Sequence, residues 1–276
     1  MDGLLRLFIL SVAMCIPLVS HALSPEALRL VGQRVKGGAP MTLGEVSVMP
    51  PPCIAIGMGE IDGVFWSEGM KKKGSLSILD QPENAMAKNA VWFHHYCWGL
   101  LDKQRSFATV KASDRAFLTK IWRNEMEYIV NWTDKVKVNW AYLPLIHKEI
   151  AESYLQEKDY GNALRSANTA LSLNADIPAS YALQSDIYVE MKDKAKALAA
   201  VTEGLKRVPA SKALKFRYKE LGGSMPFPEP YAKAVPEPTP EPVREAAPTT
   251  PPSTAPVTTA PPVEQSAGNP YCRFCP

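Results

Sequence analysis

The sequence predicts a mainly α protein: a short helical solenoid between an irregular, disulfide-tied N-terminal cap and a disordered, proline-rich C-terminal tail. Three observations carry this. From about Ala85 to Leu221 apolar residues return at i, i+3, i+4 and i+7, the spacing of one helix face. Within that stretch the chain aligns with itself when Ala151 is set on Ser185, and a regular offset of this size is the mark of a repeated helical hairpin. Of 25 prolines in 276 residues, 15 fall between Pro226 and Pro276, so the C-terminal end is a different material. The rest is ordinary globular composition, 46% hydrophobic and 21% charged, which implies a folded core. No apolar run beyond the N-terminus reaches the roughly 20 residues that span a bilayer. A net charge of +3 is too small to argue for a nucleic-acid partner.

Met1–Ala22 reads as a signal peptide. Arg6 supplies a weakly basic start, Leu7–Val19 is apolar apart from Ser11, and Ser20-His21-Ala22 fits the small-x-small cleavage pattern. Asp2 dilutes the basic charge, and the bulky Met14 before Cys15 argues against lipid attachment. The expected location is therefore periplasmic or secreted. Export removes Cys15 and leaves Cys53, Cys97, Cys272 and Cys275, an even count that reads as disulfides in an oxidising compartment. Spacing favours Cys53–Cys97 as one pair and Cys272–Cys275 as a local pair or dithiol.

Residues 23–85 are poorly periodic and rich in breakers, among them Gly37-Gly38, Pro50-Pro51-Pro52, Gly57, Gly59, Gly63 and Gly74. Cys53-Ile54-Ala55-Ile56 and Gly63-Val64-Phe65-Trp66 are candidate short strands or packed extended segments, and Lys71-Lys72-Lys73 a solvated turn. The region reads as a cap rather than an independent domain. Residues 86–224 form the helical part. Ala90, Trp92, Phe93, Tyr96, Cys97, Leu100 and Leu101 define a helix at about 86–103. A second, at about 114–132, would be capped by Asp114 and carries Phe117, Leu118, Ile121, Trp122, Met126, Ile129 and Val130.

The same self-alignment sets Tyr154 on Tyr188, Ala163 on Ala197, Leu164 on Leu198, Ala170 on Gly204, Leu171 on Leu205 and Ala175 on Pro209. Small residues recur where helices must approach closely, with bulky ones between them. This pattern resembles the tetratricopeptide repeat family, with repeats at 144–177 and 178–211 and a closing helix at 212–221. Tyr181 stands where that family carries an aromatic, whereas the first repeat has His147. Ala167 and Val201 occupy a position usually aromatic, which predicts an under-filled second helix. His94-His95-Tyr96-Cys97-Trp98-Gly99-Leu100 ahead of a repeat pair also resembles a group of exported bacterial repeat proteins that end in Cys-x-x-Cys. Two repeats do not bury a continuous core alone, so the two preceding helices should stack on them.

From 225 to 270 the proline- and threonine-rich chain samples polyproline II and would reach on the order of 140 Å if extended. Residues 271–276 form a terminal tag. Its Cys272-Arg273-Phe274-Cys275 lacks the His after the second Cys that haem attachment needs, the further ligands of a zinc site, and the helix N-terminus that activates a thioredoxin-like thiol. A disulfide-closed knob or docking tag is the simpler reading. His94, His95 and Cys97 resemble metal ligands, but Cys97 lies on an apolar stripe and a Cys53–Cys97 disulfide explains both cysteines. Gly57-Met58-Gly59-Glu60-Ile61-Asp62-Gly63 fails the dinucleotide fingerprint because Asp62 stands at its third glycine. Asn131-Trp132-Thr133 matches a glycosylation sequon, a frequent chance match.

What remains is surface recognition. The resemblance implies a concave groove lined by Lys148, Glu152 and Gln156 of the first repeat and Asp186 and Glu190 of the second. The expected function is a non-enzymatic interaction scaffold of the bacterial cell envelope, with no cofactor and no catalytic residue. It would bind another envelope protein or peptide. The alternative is thiol-redox or metal chemistry through the terminal Cys-x-x-Cys or the His94/His95/Cys97 cluster. A third reading has the tail contacting peptidoglycan or a membrane protein.

Overall fold

The computed structural model describes residues 23–35, 38–61, 64–65, 82–87 and 92–232. The expected signal peptide, Lys71-Lys72-Lys73, Ala90 and everything from residue 233, including Cys272 and Cys275, lie outside the described residues. Ten α-helices and one two-residue β-ladder are present among the described residues, so the chain is mainly α. None of those helices is long and apolar enough to cross a membrane.

Three short helices open the described chain. Helix α1 (Pro25–Leu30) is capped by Ser24, whose hydroxyl accepts from the Ala27 amide. Helix α2 (Leu43–Ser47) has a reciprocal capping box between Thr42 and Glu45. Helix α3 (Pro51–Ala55) replaces the strand or extended segment expected at Cys53–Ile56. Pro51 and Pro52 sit in its first turn, where the missing amide hydrogens cost nothing and the fixed φ favours a helix. Strands β1 (Glu60–Ile61) and β2 (Val64–Phe65) pair antiparallel, with Glu60 opposite Phe65. The Gly57–Gly59 turn is a buttress for the core: Met58, at φ 58°, is buried, and its carbonyl accepts from Trp98 Nε1 at 2.7 Å.

Helix α4 (Phe93–Ala108) and α5 (Ala112–Lys135) form a hairpin. Helix α4 starts later than expected and also ends later, at Ala108. Its polar end does not mark a stop, because Arg105 reaches the cap, donating to Glu45 at 2.7 Å and to the Ala39 carbonyl at 2.9 Å. Asp114 is not the N-cap of α5. It lies in the first turn, where its charge favours the helix dipole, and pairs with Lys111. Gly99 lets the two helices close, since a Cβ there would stand 2.5 Å from Met126 Cε. The cap helices, α4, α5 and the start of the next helix share one core, in which Leu30, Met41, Val46, Ile56 and Met58 meet Phe93, Trp98, Trp122 and Met126. The Cys53–Cys97 disulfide, buried on both sides, ties α3 to α4.

Five further helices follow: α6 (Leu143–Gln156), α7 (Tyr160–Leu173), α8 (Pro178–Glu190), α9 (Lys194–Arg207) and α10 (Lys212–Glu220). Each packs on the next, and α8 also touches both α6 and α10. The period of the sequence recurs in the backbone itself. Pro144 and Pro178 sit in the first turns of α6 and α8. Lys158 and Lys192 both turn through the left-handed region, at φ 60° and 61°. Asp159 and Asp193 cap α7 and α9 by accepting from the Asn162 and Lys196 amides at 3.1 and 3.0 Å. Ala167 and Val201, at the position usually aromatic, are both fully buried. At Gly204 a Cβ would lie 2.8 Å from the Tyr181 side chain.

Proline content places the start of the spacer at residue 225. The packed unit instead extends to Ala232. Phe227 lies against Tyr218, with ring centroids 5.8 Å apart. The Tyr231 amide donates to the Lys206 carbonyl at 2.9 Å, and its hydroxyl to Glu203 at 2.6 Å. Two aromatic anchors outweigh the prolines around them.

Candidate partner-binding groove

The first helix of each hairpin, α6 and α8, lies in series with α10, and these three line one groove of about 700 Å³. All five residues singled out from the sequence, Lys148, Glu152, Gln156, Asp186 and Glu190, line it. The spacing explains this. Glu152 and Asp186 are one repeat apart, as are Gln156 and Glu190, so each pair holds the same place on successive helices. Three further lining pairs obey the same rule: Lys148 with Ala182, Leu155 with Val189, and Ala179 with Ala213. The last two pairs are open to the same alignment and add apolar lining to the groove. Lys158, in the α6–α7 turn, also lines it and is repeated as Lys192, whereas Phe107, from the end of α4, lies outside the repeat.

The charges of the groove are matched within the chain. Lys148 donates to Glu149 and Glu152, both at 2.8 Å, and Lys103 of α4 donates to the same two carboxylates, both at 2.8 Å. Burial pulls the Lys148 ammonium down, but Glu149 and Glu152 beside it outweigh burial and hold its pKa above the ordinary lysine value. Burial likewise pushes the Glu152 carboxyl up, and Lys103 and Lys148 outweigh it and hold its pKa below the usual carboxylate range. Asp186 is held by Arg217 of α10, which also donates to the Ala182 carbonyl at 3.3 Å. Arg217 takes the repeat position of Glu149 and Leu183. Gln156 and Glu190 stand exposed at the rim.

The other sequence candidates separate. Cys97 is bonded to Cys53, so neither sulfur is available as a thiolate ligand. His95 is buried, its Nδ1 2.5 Å from Glu125 Oε2 and its ring stacked on Tyr128 with centroids 3.8 Å apart. His94 lies against Trp98. Among the described residues no three His, Cys, Asp or Glu side chains are grouped as a metal site requires. Asn131 is exposed on α5 and lines a smaller recess of about 320 Å³ with His147 and Tyr154. Burial lowers the pKa of the His147 imidazole there.

No family model matches the chain, no curated protein matches its sequence and no solved structure matches its fold at a significant level.

Proposed function

We propose that this chain is a non-enzymatic protein-interaction scaffold of the bacterial cell envelope. In this reading a short tetratricopeptide-like array is exported by the N-terminal signal peptide to the periplasm or cell surface. It binds another envelope protein or peptide in the α6–α8–α10 groove, and the proline-rich tail with Cys272 and Cys275 serves as its tether. One observation carries the reading: residues related by the repeat converge on one groove, on helices that pack against the capped α7 and α9. A rigid, concave, partly apolar surface is suited to holding a peptide or helix.

Site-specific photocrosslinking in cells tests it. A photoreactive residue at Gln156 or Glu190 should capture one and the same envelope protein. The same residue at Ser172, exposed on α7, should not. A truncation after Ala232 should keep the crosslinks, because the packed unit ends there. Identical adducts from all three positions, or capture that vanishes with the tail, would move recognition away from the groove.

A further inference from the structure

The groove's charges are already matched to one another, and this defines the chemistry of what it holds. Lys103, Lys148, Glu149 and Glu152 form a closed set of two cations and two anions, each ion contacting both ions of opposite sign. Asp186 is occupied by Arg217. A ligand carboxylate approaching Lys148 would have to displace Glu149 or Glu152 from a partly desolvated 2.8 Å contact, gaining one ion pair for each it breaks. What the groove leaves unsatisfied is apolar. Phe107 is 51% exposed and Val189 45% exposed on its walls. Ala179, Ala182 and Ala213 are short lining residues that leave room for bulky side chains. At the rim Lys158 and Glu190 offer one charge of each sign.

Resting on the groove reading above, we infer that the occupant is a peptide segment presenting an apolar, uncharged face to the groove, and not an acidic or carboxylate-anchored one. Exposed aromatic and aliphatic walls gain by being covered, whereas a self-neutralised ion cluster gains nothing from an added charge. Binding of such a segment is therefore insensitive to salt.

The test is selection of a displayed library of random peptides about twelve residues long on the full chain. A groove-filled variant, Ala179→Trp with Ala213→Trp at two exposed positions, serves for counter-selection. The expected winners are apolar at helical spacing and poor in charge. Their affinity should change less than about threefold between ~50 and ~500 mM NaCl and fall more than about tenfold on Phe107→Ala. Winners rich in Asp and Glu, with affinity lost in salt and on Lys148→Gln, would overturn the apolar assignment and leave the groove as a binding site. Winners that bind the groove-filled variant equally well, or no enrichment over it, would overturn both. Circular dichroism of each variant checks that loss of binding is not loss of fold.

Discussion

The two halves of the packed unit solve the same problem with different side chains. In the first, large rings do the filling: Trp92, Phe93, Tyr96, Trp98 and Trp122 share a core with the methionines of the cap. In the second, Ala151, Ala163 and Ala167 pack with Leu183 and Ile187, and Tyr181 meets Gly204. A large ring needs a pocket shaped for it, so such packing is not readily copied along the chain. Small residues let helix backbones approach, and the same approach can be copied one repeat later. The first half is also held by bonds distant in sequence, the Cys53–Cys97 disulfide and the Trp98–Met58 hydrogen bond. The second half is held by local devices, the Asp159 and Asp193 caps and the Lys158 and Lys192 turns.

The largest expected effect breaks the long-range half. Replacing Cys53 and Cys97 by serine opens a loop spanning 44 residues and should cost about 3–4 kcal/mol in urea unfolding on the chain-entropy account. Hydrogen exchange should speed up in α3 and α4 and remain slow in α7 and α9. Equal acceleration throughout would mean that the halves unfold as one. Next comes the seam between them. Glu149 is almost fully buried and accepts from both Lys103 of α4 and Lys148 of α6. Glu149→Ala should cost about 3 kcal/mol, since it takes one carboxylate from two partly buried ammonium groups. Glu149→Leu together with Lys103→Met should recover much of that loss.

Acid should act on the same seam and on the cap. Burial pushes the Glu152 carboxyl up and the two lysines outweigh it; at Glu45 burial is likewise outweighed by Arg105 and Thr42. Both pKa values are held below the ordinary range. Their stabilisation is therefore complete above the unfolded value of about 4.3 and lost as pH falls through the lower folded values. Glu152→Gln should flatten the stability profile in that acid window and leave the slope near neutrality unchanged. The smallest effect lies in the repeated half. Lys192 is exposed in a left-handed turn that disfavours any side chain, so Lys192→Gly should stabilise by about 0.5–1 kcal/mol, read as a higher urea midpoint. Lys158→Gly should do the same, as its repeat counterpart.

The same contrast decides what could be read in the sequence. The two hairpins follow from one periodic alignment, because a repeated contact leaves a repeated residue type, and the five charged or polar groove positions follow from the family resemblance carried along that alignment. Phe107, Lys103 and Arg217 escape it, since the first two enter from α4 and the third departs from the residues at its repeat position. The helix at Pro51–Ala55 resembles a strand in composition, and only its double proline start tells otherwise. Lysines at left-handed turns give no turn signal at all. Phe227 and Tyr231 are hidden by the prolines beside them.

The third copy of the first-helix pattern also says where the array ends. Lys215 and Lys219 stand one repeat after Tyr181 and Ser185, which are buried on α8. In α8 this face meets a partner helix through Tyr181 and Gly204, whereas in α10 the two lysines stand over the ring of Phe227. A charged face covered by a short strap offers a further helix no apolar seat comparable to the one Tyr181 and Gly204 make. Anyone wishing to extend the array by design would restore tyrosine and serine at 215 and 219 and cut the strap before Phe227.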